Sequence, residues 1–343
     1  MSRAARLFIL VAGLIFFVIL VLRAGVGGLI ATLQHARWAF LAIVGVWGVV
    51  YVCNTIAWSA LIGATAARHG RGGAHDRIPF LQAYAISVAS FAINYATPFV
   101  ALGGEPLKLA QAADWIGPDR AAASVVSFRV THTLGQMIFW LLALPVGWIL
   151  LPHTVAVRVV LVLTALVLIA VCCLLVLLFR HGFVERALDA LHHIPLLRRL
   201  APRAEHFRHT LAHIDTQMAE LTVGERPRLI LAVALEVIGR CIAMFEFYIV
   251  AHTEGLPISY VTAFLIGAIS QLAIILFIFV PFELGSREGG ITFAYSLLGL
   301  SPALGVYTGV ITRLRELAWI GIGLTVASVL RRSQPERGGQ VAS

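Results

Sequence analysis

Two short stretches carry the groups that could do chemistry. In TPFVALGGEPLK, residues 97–108, Glu105 and Lys108 follow the glycine pair Gly103–Gly104. In VPFELGSREGG, residues 280–290, Arg287 and Glu288 precede a second glycine pair. Setting Pro98 on Pro281 places Phe99 on Phe282 and Glu105 on Glu288. An arginine follows each motif at nearly the same distance: Arg129 is 24 residues beyond Glu105, and Arg313 is 25 beyond Glu288. All of these charges lie among apolar runs. An ionised side chain at the centre of a membrane span costs at least ~2.5–3.5 kcal/mol on insertion scales, so each must pair or face water. Two chemistries satisfy that demand. One is a structural web of salt bridges, to which Glu283, Arg315 and Glu316 would also contribute. The other is an anion site in which Arg129, Arg313, Arg287 and Lys108 hold a headgroup, with Glu105 and Glu288 balancing the charge when it is empty. The planar guanidinium fork suits phosphate oxygens. Gly103 and Gly104 permit a tight turn and close approach of a ligand to backbone, and the amides opening the next helix favour an anion. For Glu105 alone, capping of that helix is the competing reading.

Other polar groups invite weaker readings. Glu236 and Arg240, four apart, share a helix face and read as an internal pair. Glu246 is a further polar residue facing the bundle. His132 reads as a hydrogen-bonded core histidine or a proton relay. His206, His209 and His213 share a face, but RRLAPRAEHFRHTLAHIDTQMAEL reads better as a cationic amphipathic helix on the cytoplasmic leaflet than as a metal site. Cys53, Cys172, Cys173 and Cys241 all lie in apolar runs without metal or disulfide spacing. There is no P-loop, dinucleotide fingerprint, Ser/His/Asp pattern or HExxH, so nothing argues for ATP hydrolysis or a bound cofactor.

The elements that must position these groups follow from composition. Of 343 residues, 59% are hydrophobic and 13% charged, with mean hydropathy +0.90, which excludes an ordinary soluble domain. The net charge of +9 sits largely on loop arginines. It points to the positive-inside rule and anionic headgroups rather than to nucleic acid. Spans are expected at Leu7–Leu22 (a retained signal anchor), Trp38–Ala64, Ala121–Leu150, Val155–Phe179, Leu229–Ala251 and Ala303–Leu330. Trp38 and Trp58 are expected as interfacial anchors. Pro79–Ala96 and Ser259–Val280 each lead into a motif, and the run after the first motif, Leu102–Ala113, is too short to cross back. Re-entry from one side solves the problem. The loops 65–78 and 180–228 and the tail then all lie in the cytoplasm, and the loops lacking Lys and Arg lie outside. The expected fold is all-α and polytopic: six full spans and two opposed re-entrant hairpins in an inverted repeat. Its repeat cores are 79–150 and 259–330, within one membrane domain, with an amphipathic loop at 180–228 and a basic tail at 331–343.

NYATPFVALGGEPLKLAQA and FVPFELGSREGG resemble the two signatures of the lysylphosphatidylglycerol synthase transmembrane-region family, also called flippase-like membrane proteins. The first runs N-x-x-x-P-x-x-x-x-G-G-E and begins at Asn94; the second runs P-x-x-x-G-x-R-E. The likeness extends over roughly Leu7 to Leu330. It implies a bacterial inner-membrane protein, with both termini cytoplasmic, that translocates or scaffolds phospholipid or isoprenoid-type lipid. It also implies a ligand role for Asn94. The lysyl-transferring members carry a soluble catalytic domain after the membrane region, and the chain stops 13 residues past Leu330, so synthase activity is not expected. RAGVGGLIATLQHARWAFL is reminiscent of stand-alone members associated with hopanoid lipids. The expected function is lipid translocation without ATP. A lipid-modifying enzyme, or a subunit presenting lipid to a synthesis complex, is the alternative. The expected partners are the lipid itself and, beyond it, a second copy or lipid-synthesis proteins.

Overall fold

The structure, a computed structural model, describes residues 26–68, 77–96, 103–181, 226–276 and 286–332. In chain order these form α1 (Val26–Arg68), α2 (Phe80–Ala96), α3 (Gly104–Ile116), α4 (Pro118–Leu150) and α5 (Val155–His181). Then come α6 (Arg226–Ala243), α7 (Phe245–Thr253), α8 (Tyr260–Leu276), α9 (Ser286–Leu297) and α10 (Pro302–Arg332). No strand occurs among the described residues. Helices are what such apolar runs must form in lipid, because a helix satisfies its backbone donors and acceptors within itself. The first expected span, the turns at Pro98 and Pro281, Glu283, the His206–His209–His213 face and the basic tail lie outside the described residues.

The breaks between helices have local causes. Gly117, at φ 83°, ends α3 and Pro118 opens α4; Gly299, at φ 72°, follows α9 and Pro302 opens α10. A left-handed glycine stops a helix, and a proline at the first helical position starts the next. Two segments therefore share one order: a 17-residue helix, a short helix of 13 or 12 residues, a left-handed glycine, then a helix of 33 or 31.

Among the described residues, three stretches are long and apolar enough to cross a membrane: Trp38–Gly63, Pro118–Leu150 and Val155–Leu174. α10 has the length, but Arg313, Arg315 and Glu316 interrupt its apolar character. The run expected as one span, Leu229–Ala251, carries Glu236, Arg240 and Glu246 and is two helices. They part at Met244, whose N–H bonds Cys241 O, while Tyr260 Oη donates to the same carbonyl at 2.7 Å. An outside donor on a helix carbonyl is a recognised cause of such a break. α1 also starts at Val26, earlier than the expected span, and runs for 43 residues.

The segments interlock. α10 packs along α2, while α4 packs on α8; α6 lies between α1 and α4, and α9 sits against α8 and α10. Phe139, Trp140, Met244, Phe264 and Tyr295 fill the core shared by α4, α6–α9. In lipid such contacts are held by close van der Waals packing rather than by escape from water, so small residues matter. At Gly323 an added Cβ would fall 2.6 Å from Val88 O, which lets α10 lie directly on α2. α5 stands at the edge, exposing Val159, Leu163, Leu166 and Val167.

Candidate functional site

Charged side chains gather in two clusters, one on each of the similar segments. In the second, α10 supplies Arg313, Arg315 and Glu316, and the first turn of α9 supplies Arg287 and Glu288. Arg313 donates from Nη2 and Nε to Glu288 Oε1 at 2.8 and 3.1 Å, and from Nη1 to Glu316 Oε2 at 3.2 Å. Arg287 donates to the other oxygen of Glu316 and, at 3.1 Å, to Tyr95 Oη. Arg315 forks onto both oxygens of Glu246 at 3.1 Å each, lies 3.8 Å over the Trp47 ring, and Trp47 Nε1 donates to the same carboxylate at 2.9 Å. Three arginines thus meet three glutamates, nearly all buried. Two-pronged arginine contacts of this kind are the strong ones. They explain how α10 tolerates charge at its middle.

The first cluster is built on α3, α4 and α6 and is looser. Glu105 Oε1 is 3.7 Å from Arg129 Nη1, beyond hydrogen-bond reach, and Arg129 is 47% exposed. Among the described residues Glu105 accepts no helix-end N–H; Asn94 Oδ1 accepts that of Gly104 at 2.7 Å instead. That amide is therefore committed, and the close approach at Gly104 is to the α2 backbone, since an added Cβ would lie 2.0 Å from Ser90 O. Gly103 sits at φ −67°, an ordinary helical value. Lys108 is 4% exposed, with its ammonium 4.1 Å from the Trp58 ring centre and 3.6 Å from that of Phe128. No hydrogen bond or ion pair reaches it from any described residue. Trp58, expected as an interfacial anchor, is fully buried and donates from Nε1 to Ser124 Oγ at 3.3 Å. Deeper in, Glu236 accepts from His132 Nδ1 at 2.7 Å, and Arg240 Nη2 is 3.8 Å from the same oxygen.

The matched glutamate–arginine pairs therefore meet in space: Glu105 with Arg129 and Glu288 with Arg313. Lys108 joins the first cluster and Arg287 the second, while Asn94 and Gly104 join α2 to α3. Sequence reasoning missed Trp58, Phe128, Tyr95 and Trp47 as partners of the cations. Trp58 had one visible signal, since Ala60, Leu61 and Ile62 continue the apolar run beyond it. The others had none.

The model of the lysylphosphatidylglycerol synthase TM region matches residues 5–323. The chain belongs to that family. A comparison with curated proteins and one with solved structures find no match. The membership bears out the resemblance carried by the two motifs. It makes this lysylphosphatidylglycerol synthase TM-region protein an integral membrane protein with a lipid-related role.

Proposed function

We propose that the protein moves a phospholipid or isoprenoid-type lipid with an anionic headgroup between leaflets, without ATP hydrolysis and without modifying it. The observation that carries this reading is the recurrence of one device in two states. Each similar segment sets a glutamate of its short helix against an arginine of its long helix. One pair is open, at 3.7 Å with a half-exposed arginine, and the other is closed at 2.8 Å. A headgroup phosphate competes with the carboxylate for the arginine, so an open pair is a receptive site and a closed pair an empty one. The two segments act as an inverted repeat of re-entrant hairpins among six full spans, in a bacterial inner membrane with both termini in the cytoplasm. Lys108 and Arg129 receive the headgroup on one side; Arg313 and Arg287 receive it on the other.

The test is Glu105→Gln and Glu288→Gln, each reconstituted in proteoliposomes with a fluorescent phospholipid whose appearance in the outer leaflet is followed by quenching. Glu105→Gln leaves the receptive arginine without its balancing carboxylate and should hold an anionic lipid, slowing release. Glu288→Gln should show the same defect on the opposite face. Wild-type rates in both correctly inserted variants would overturn the two-pair mechanism.

A further inference from the structure

His132 and Glu236 form a site that the translocation reading does not use. His132 lies on α4, where Arg129, His132 and Gln136 recur at i, i+3, i+7 and share a face. That polar stripe ends in a hydrogen bond between the halves, Gln136 Nε2 to Gln271 Oε1 at 2.8 Å. Glu236 comes from α6 and is 1% exposed, whereas the His132 side chain is 34% exposed. The imidazole therefore bridges a buried carboxylate and an accessible face. Its Nδ1 is taken by Glu236, which sets the tautomer: Nδ1 carries the hydrogen and Nε2 is the basic nitrogen. Arg240 donates to His132 O at 3.0 Å and so holds the backbone beneath the ring. Glu236 Oε1 is buried with no partner among the described residues. A buried carboxylate held by a single imidazole hydrogen bond is under-satisfied.

We infer that His132 and Glu236 are a proton-binding site, and that the proton is the coupling ion for movement of the anionic lipid. The proton adds to Nε2 of the neutral imidazole and gives an imidazolium whose charge is offset by Glu236. The groups facing the pair are Arg240 on α6, Arg129 on α4, Lys108 on α3 and Cys53 on α1, with Glu105 on α3 behind Lys108 and Arg129. With His132 neutral, three cations (Lys108, Arg129 and Arg240) meet two carboxylates, Glu105 and Glu236. Protonation raises that excess by one further positive charge. One monoanionic headgroup beside Lys108 and Arg129 cancels that added charge and returns the cluster to its excess of one. Each ligand then favours the other, and by linkage the effect is reciprocal. Proton and anion travel together and the site never crosses the membrane with its full charge uncompensated. The proton site stands by itself, while the coupling rests on the translocation reading.

The test has two arms on the full-length chain. Infrared difference spectra of the purified protein in nanodiscs are taken between about pH 8 and about pH 5, the window of histidine titration. Wild type should show imidazole protonation together with a shifted carboxylate band. Among the chain's twelve histidines, His132→Gln should lose the carboxylate shift and one histidine's share of the imidazole signal, Glu236→Gln should lose the carboxylate shift and move that share to another pH, and His252→Gln, an exposed residue outside the cluster, should lose one histidine's share and keep the carboxylate shift. A His132→Gln spectrum identical to wild type overturns the proton site. In the second arm, proteoliposomes carry a pH gradient. One proton per lipid makes the leaflet distribution of an anionic probe lipid shift about tenfold per pH unit in wild type, with no shift in His132→Gln. Wild-type distribution indifferent to the gradient overturns the coupling even where the infrared signature is present. Absence of any lipid movement, with or without a gradient, rejects the translocation reading and the coupling with it, while the infrared arm still decides the proton site.

Discussion

Under the proposed function, Lys108 is a charge kept to receive the headgroup. A buried ammonium whose direct contacts among the described residues are aromatic faces is costly, since cation–π contacts contribute ~0.5–2 kcal/mol each and desolvation of a charge costs more. Lys108→Met keeps a flexible chain of similar volume between Trp58 and Phe128 and removes the charge. The variant should unfold at a higher temperature than wild type, by a gain of about 1 kcal/mol or more, yet move anionic lipid at least tenfold more slowly. Lys108→Arg should restore part of the rate. Glu246→Gln should behave in the opposite way. It strips Arg315 of its buried two-pronged partner, for a loss of about 3–5 kcal/mol, seen as poor yield and a lowered melting transition. The contrast separates a charge kept for binding from one kept for structure. Of these roles, the recurrence of Glu105 with Arg129 and of Glu288 with Arg313 was legible, because matched charges at matched spacing are a pattern in the chain. The pairing of Arg315 with Glu246 was not, since a separation of 69 positions gives no local register.

At the scale of the helix, the glycine pair of the first motif divides into two unequal members. Gly104 packs against a carbonyl oxygen that belongs to the backbone of α2 and cannot step aside, so Gly104→Ala should cost about 1–3 kcal/mol from overpacking. Gly103 has ordinary helical geometry, so Gly103→Ala should leave the melting transition within about 0.5 kcal/mol of wild type. Thermal unfolding followed by circular dichroism in detergent distinguishes the two. Near-equal losses would mean that the α2–α3 contact is not what the glycine serves. The sequence signalled that the pair matters without saying which member does, because the demand comes from Ser90, a residue on another helix. The breaks at Gly117–Pro118 and between Gly299 and Pro302 are the opposite case, because their causes lie within a few residues of the break.

At the scale of the molecule, the proposed inverted repeat makes a directional claim. The break between α3 and α4 should face the cytoplasm and the break between α9 and α10 the other side. Asp119 and Ser301 are exposed at those breaks. In a background with the four native cysteines replaced, an impermeant thiol reagent applied from outside should label Ser301→Cys and leave Asp119→Cys untouched until the membrane is opened. Labelling of both from one side would replace opposed hairpins with parallel ones.

Composition and hydropathy alone made this an all-α membrane protein, and two short motifs placed it in its family. Those conclusions rest on quantities that add up along the chain: apolar length against bilayer thickness, and charges against the cost of burying them. Which cation meets which carboxylate could not be reached that way. Arg315 could have paired with Glu316 beside it, yet it reaches Glu246, because the helix turns adjacent residues to different faces. Trp58 could have sat at the interface, yet it lies under Lys108, because α3 and α4 close over that part of α1. The open pair at Arg129 and the closed pair at Arg313 have nearly the same spacing in sequence. Glu316 reaches Arg313 along α10 itself, three residues on, and the packing of α9 against α10 brings in Arg287 and Glu288, which makes one pair tight while the other stays open.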